Sequence, residues 1–174
     1  MRIIAGSLKG RRLEGPLKGV LEVRPTSDRA REALFSILLR WPMGTFVDLF
    51  AGTGAVALEA HSRGFGPVVC VEAKPRPFLH RNLELGGVSL VAKDTAKLGP
   101  DAFRGVAVIF ADAPYERSVE LWIKLAPLMH AWLAESGVLT WETDARTELP
   151  TQAGWRLVEA RQYGTARFHF MERA

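Results

Sequence analysis

Asp48-Leu49-Phe50-Ala51-Gly52-Thr53-Gly54-Ala55-Val56-Ala57 is the stretch whose reading decides the fold. An apolar run over 46–50 leads into it and a helical pattern over 55–63 leads out, so it reads as a strand-to-helix turn of the form G-x-G-x-x-A. Glycines there let the backbone approach a ligand closely, and the helix N-terminus favours a negative group such as a carboxylate or phosphate. Glu72 ends the next apolar run, 24 residues after Asp48, where a carboxylate can accept both ribose hydroxyls. The pattern points to a nucleoside cofactor and is compatible with NAD too. Asp94, directly after a third apolar run, is a natural acceptor for an adenine amino group; Asp94-Thr95 also has the form of a helix cap.

Outward from this loop, short apolar runs alternate with helical patterns. Strands are expected over 46–50, 68–72, 88–93, 106–111 and 137–141, helices over 55–63 and 77–85, and a helical region over about 117–134. Runs without strict apolar/polar alternation suit a parallel sheet covered on both faces. Pro127 interrupts the last helical region, which predicts two helical pieces or a kink. Two closing strands near 155–162 and 165–171, joined by Tyr163-Gly164, have the spacing of an antiparallel hairpin. Upstream, Pro25-Thr26-Ser27-Asp28 reads as a helix start, with Ala30, Ala33, Leu34, Ile37, Leu38 and Trp41 on one face. The expected fold is a doubly wound α/β sheet, mostly parallel, with an antiparallel C-terminal edge.

At 174 residues and 48% hydrophobic content the chain suits one domain with a full core and a short appendage. No apolar run approaches the roughly 20 residues needed to span a bilayer, and the start lacks a signal-peptide core, so a cytoplasmic protein without membrane contact is expected. Cys70 is the single cysteine and lies in an apolar strand, as a core residue would. His61, His80, His130 and His169 show no ligand spacing, and no metal is expected. Net charge is +4, but residues 1–31 carry eight basic side chains against three acidic ones, a local +5. Such asymmetry suits a surface that meets phosphates, with Arg2, Lys9, Arg11, Arg12, Arg24 and Arg29 the candidate contacts, although a charge run is also how a solvated face looks.

Asp112-Ala113-Pro114-Tyr115 follows the run Val106-Ala107-Val108-Ile109-Phe110-Ala111 and so places a carboxylate, a backbone carbonyl and an aromatic ring at a strand end. The exocyclic amine of a nucleobase is a poor nucleophile because its lone pair is delocalised into the ring. Asp112 and the Ala113 carbonyl are suited to accept its N–H hydrogens, and Tyr115 to stack on the base, as enzymes that take a base out of its helix require. The same four residues would also make an ordinary strand-ending turn.

Met1-Arg2-Ile3-Ile4-Ala5-Gly6, Arg24-Pro25-Thr26-Ser27-Asp28-Arg29, Arg31-Glu32-Ala33-Leu34-Phe35, the Asp48–Gly54 loop, Leu58-Glu59-Ala60, Ser62-Arg63-Gly64, Asp112-Ala113-Pro114-Tyr115 and Gly164-Thr165-Ala166-Arg167 together resemble the bacterial 16S rRNA guanine-N2 methyltransferases, over nearly the whole length. The resemblance implies a class I, Rossmann-like methyltransferase domain over 26–174 behind a basic, β-rich appendage over 1–25. It implies S-adenosylmethionine as cofactor, with the methionine part held by Asp48, Phe50, Ala51, Gly52 and Gly54, the ribose by Glu72 with Ala73, and the adenine by Asp94 with Thr95. Asp112, Ala113, Pro114 and Tyr115 would hold the target base of 16S rRNA, in a small-subunit particle or assembly intermediate. The family usually has Pro where this chain has Ala113; the carbonyl acceptor survives the change, but the fixed φ does not.

Other readings share parts of this pattern. A DNA adenine or protein glutamine methyltransferase would use a similar tetrapeptide, and an NAD-linked oxidoreductase the same loop and Glu72. A non-catalytic RNA-binding or assembly protein could keep the fold alone.

Overall fold

The short apolar runs form one sheet with a core layer on each face. The computed structural model describes residues 1–16 and 27–174. Helix α1 (Asp28–Leu38) precedes β1 (Phe46–Leu49), α2 (Ala55–Ser62), β2 (Val68–Val71), α3 (Pro77–Leu83), β3 (Val88–Val91), β4 (Val106–Ala111), α4 (Ser118–Trp132), β5 (Leu133–Asp144), β6 (Trp155–Tyr163) and β7 (Ala166–Arg173). The seven strands are ordered β3-β2-β1-β4-β5-β7-β6; β1 to β5 run parallel and β7 lies antiparallel between β5 and β6. The expected doubly wound sheet with an antiparallel C-terminal edge is the architecture observed.

Alternate residues of the buried strand β4 fill the two layers. Val108 and Phe110 pack with Phe35 and Leu38 of α1 and Ala57 and Ala60 of α2. Ile109 and Ala111 pack with Trp122, Leu125, Met129 and Trp132 of α4. Helix α1 starts where the Ser27 hydroxyl accepts the Ala30 N–H at 3.1 Å. Pro25, Thr26 and Arg24, read as the lead into it, fall outside the described residues.

Three expectations change. Helix α4 is one element through Pro127 and not two pieces; Pro127 and Ile123, four residues before it, are both exposed. Strand β5 starts directly after α4 and runs to Asp144, further than the expected 137–141. Arg31, counted among the surface charges, is fully buried, with ion pairs to Asp28 (3.0 Å) and Glu59 (3.6 Å).

In the N-terminal segment the regular pairing between described residues is one antiparallel bridge, Arg2 with Arg12. Ile3 and Leu13 are buried against Ala55 and Leu58 of α2, and the Ile4 and Ala5 N–H groups donate to the two oxygens of Glu59 at 2.8 and 3.0 Å. Gly6 passes so close to α2 that a Cβ there would lie 1.7 Å from the Ser62 carbonyl oxygen.

Candidate active site

The strand order reverses between β1 and β4, and the carboxyl ends of these strands are the usual place for a ligand crevice in such sheets. At the end of β1, Phe50 adopts φ +66°, a left-handed conformation uncommon outside glycine, and its ring meets Trp141 edge-on at 6.4 Å. Ala51 is buried, and its carbonyl accepts the Gly54 N–H at 2.7 Å, closing the turn. Gly54 then caps α2 at φ +76°, and a Cβ on it would lie 2.9 Å from Leu79 Cδ1, so both conformation and space call for glycine. Among the described residues no side chain caps α2. Asp48 lies beneath this turn and accepts the Ala57 N–H at 3.1 Å. Burial pushes the Asp48 carboxyl up to about 8, the Ala57 N–H offsetting part of that rise and nearby Glu72 and Glu142 adding to it.

Glu72 follows β2 and is preorganised by backbone: Oε2 accepts the Gly52 N–H at 3.0 Å and Oε1 accepts the Lys74 N–H at 3.1 Å. Each oxygen keeps a further lone pair for a hydroxyl donor. Ala73 beside it is exposed. At the end of β3, Asp94 is exposed and caps a 3-10 turn (Thr95–Lys97) through the Ala96 N–H at 2.9 Å, while Thr95 is buried. The cap form of Asp94-Thr95 is thus realised. A glycine turn, a helix start without a side-chain cap and a fixed carboxylate fit a nucleoside cofactor with a charged amino-acid end.

The tetrapeptide leaves β4 one strand away. Leu49 and Ala111 are register partners, as are Ala111 and Trp141, so Asp48, Asp112 and Glu142 share one face of the sheet at neighbouring strand ends. The Asp112 N–H donates to the Leu49 carbonyl at 3.4 Å. Ala113 is buried, and Pro114 begins a 3-10 turn over Tyr115–Arg117. Ser118 anchors that turn by accepting the Trp141 indole N–H at 2.9 Å. Tyr115 keeps 36% of its surface exposed, enough ring for a planar ligand to cover. Burial raises the Asp112 carboxyl well above the ordinary range, with the Glu142 and then the Asp48 carboxylates adding to it. Burial and Glu142 likewise raise the Tyr115 phenol.

Glu142 is absent from the candidates read from the sequence, yet it is 2% exposed and accepts the Tyr115 hydroxyl at 3.3 Å. Its signal is its place near the carboxyl end of a parallel strand, hidden because that strand is expected to stop at 141. Of the basic candidates, Arg2, Lys9, Arg11, Arg12 and Arg29 are exposed, and Arg24 lies outside the described residues. His169 is buried beside Thr143 at 3.0 Å, and burial takes it down to about 4. Among the described residues there is no cluster suited to a metal ion and no helix long and apolar enough to cross a membrane.

Strand order, helix layers and the loop after β1 are those of the class I, S-adenosylmethionine-dependent methyltransferases. The family described as "Conserved hypothetical protein 95" matches residues 1–172, and the chain belongs to it. YlbH of Bacillus subtilis (strain 168), provisionally named as an rRNA methyltransferase, is 33% identical over 172 residues, 88% of each chain. Ribosomal RNA small subunit methyltransferase D of Escherichia coli (strain K12) is 29% identical over 181 residues, covering 99% of this chain and 90% of that one. A hypothetical protein of Thermus thermophilus has a solved structure that superposes with a TM-score of 0.83 at 31% identity, covering 99% of both chains. These relatives make the family one of rRNA methyltransferases, and the oxidoreductase reading of the glycine loop is set aside.

Proposed function

We propose that this methyltransferase transfers a methyl group from S-adenosylmethionine to the exocyclic 2-amino group of a guanine in 16S rRNA, with a small-subunit particle or assembly intermediate as substrate. The observation that carries the reading is the position of Asp112-Ala113-Pro114-Tyr115 one strand from the glycine loop, with the Tyr115 ring exposed over the crevice.

The cofactor, when bound, supplies a methyl group on a sulfonium, already activated for displacement. Residues 48–54 approach its amino-acid end, Glu72 with Ala73 receives the ribose, and Asp94 with Thr95 borders the base. Tyr115 covers one face of the flipped guanine. Asp112 and the Ala113 carbonyl accept the two N2 hydrogens, which turns the nitrogen lone pair towards the methyl carbon. The new C–N bond would form as the methyl–sulfur bond breaks and the thioether leaves with its electron pair, while the nitrogen sheds a proton that Asp112 accepts. Burial, with Glu142 and then Asp48 adding to it, raises the proton affinity of Asp112, which suits that role. Arg2, Lys9, Arg11, Arg12, Arg24 and Arg29 are assigned to RNA phosphates, which fix the register of docking without reading sequence.

The test is methyl transfer from labelled cofactor to small subunits purified from cells lacking this gene, followed by nucleoside mass analysis. The expected product is N2-methylguanosine at one position of 16S rRNA. Label on DNA adenine or protein glutamine, or no transfer despite cofactor binding, overturns the assignment.

A further inference from the structure

Asn82 of α3 is 3% exposed and commits its whole amide to two backbone segments far apart in sequence. Its Oδ1 accepts the Glu14 N–H at 2.8 Å, and its Nδ2 donates to the Glu14 carbonyl and to the Thr53 carbonyl, each at 2.9 Å. Glu14 belongs to the basic N-terminal segment; Thr53 lies between the two glycines of the loop after β1. No other arrangement of this amide serves all three backbone groups, because two carbonyls require both of its N–H donors.

Other contacts run the same way. The Met1 sulfur approaches the Thr53 hydroxyl at 4.0 Å, and Glu59 holds the backbone of Ile4 and Ala5 along α2, whose first turn begins at the same loop. Leu79, one turn before Asn82, fills the space opposite Gly54. Thr53 is therefore held by Asn82 at 2.9 Å, and the next residue back, Gly52, by Glu72 at 3.0 Å.

We propose that Asn82 is a positioning residue that couples the N-terminal segment to the cofactor loop, so that S-adenosylmethionine and RNA bind cooperatively. Restraining Thr53 further on cofactor binding restrains Glu14 through one shared amide, and docking the basic segment on RNA phosphates restrains Thr53 in return. Linkage makes the effect equal in both directions. The inference rests on the assignment of 48–54 to the cofactor and of the basic segment to RNA.

Two measurements on the full chain test it, with S-adenosylhomocysteine as the non-reacting probe. In the wild-type protein, saturating S-adenosylhomocysteine should slow amide hydrogen exchange within residues 1–16 as well as in 48–54. It should also tighten binding to unmethylated small subunits by on the order of 5- to 50-fold. Asn82→Asp keeps the shape but turns an acceptor towards the two carbonyls, and it should reduce the tightening to about twofold or less. Protection confined to 48–54 overturns the inference without any variant, and so does tightening that is absent in the wild type or unchanged in a folded Asn82→Asp. Failure of the wild type to bind S-adenosylhomocysteine by calorimetry instead removes the cofactor assignment beneath it.

Discussion

The Tyr115 hydroxyl donates to Glu142 Oε1 across 3.3 Å, tying the exposed ring of the tetrapeptide to a buried carboxylate on the neighbouring strand. A ring held in this way meets a base without first losing its rotational freedom. Tyr115→Phe should therefore lower kcat/KM by about tenfold, the scale of one hydrogen bond to a charged group. Tyr115→Ala, which also removes the stacking surface, should cost roughly 1–3 kcal/mol of transition-state stabilisation. Steady-state methyl transfer to small subunits at several substrate concentrations gives both figures.

Asp112→Ala should abolish transfer and leave the fold intact, because Asp112 follows the last residue of β4 and Ala there removes a carboxyl that burial already penalises. The expected loss is at least about 100-fold in kcat, as for other groups acting mainly in the transition state. A circular dichroism melt checks the fold. A rate near wild type would reduce the tetrapeptide to a strand-ending turn.

Glu72→Ala should weaken S-adenosylmethionine binding by roughly 1.5–3 kcal/mol, the worth of hydrogen bonds to a charged group. The variant also frees the Gly52 N–H that Glu72 holds at 3.0 Å, so loss of loop order adds to loss of ribose contact. Calorimetry with the cofactor alone measures the change, and an affinity equal to wild type would remove Glu72 from the site.

Asp48 gives stability a pH dependence with a definite sign. Its carboxyl holds the proton up to about pH 8 in the folded chain, against 3.8 as a free side chain. The folded state binds the extra proton between those values, so this contribution is complete below about pH 4, declines as pH rises and levels off above about 8. Asp48→Asn, which keeps an acceptor for the Ala57 N–H, should unfold with a flatter pH profile. The variant should gain on the order of a few kcal/mol over wild type on going from pH 5 to pH 8. Urea unfolding at the two pH values tests this, and parallel profiles would refute it.

Replacing Lys9, Arg11 and Arg12 by Ala should weaken RNA binding and lower its salt slope by roughly 2–3, if each side chain neutralises one phosphate. All three are exposed, while the segment's backbone is held by Glu59 and Asn82, so cofactor affinity without RNA should not change. Binding that matches wild type at every salt concentration would make this run an ordinary solvated surface.

The fold was legible because its signals are local. The run 106–111 emerged as β4 with the same bounds, and the glycine loop was identifiable because a G-x-G-x-x-A between strand and helix has few other uses. Residues whose meaning comes from remote contacts were not legible. Arg31 sat in a charged run and gave no sign that Glu59, on another helix, would bury it. Asn82 is one polar residue in a short helix, and its importance depends on Glu14 and Thr53, 68 and 29 residues away. Pro127, an exposed helix residue, does not divide α4 into the two pieces that its ring alone suggests.

The place of β7 between β5 and β6 sets an order of events during synthesis. β6 sits at the sheet edge and meets the rest of the sheet through β7, which is drawn from residues 166–173. While the nascent chain lacks them, the outer edge of β5 from Leu139 to Asp144 has no neighbour, and Glu142 has no Phe168 opposite it. The strand that carries Glu142 thus gains its second neighbour only after residues 166–173 have been made. A chain stopped near residue 165 would present that bare edge to any other strand it met.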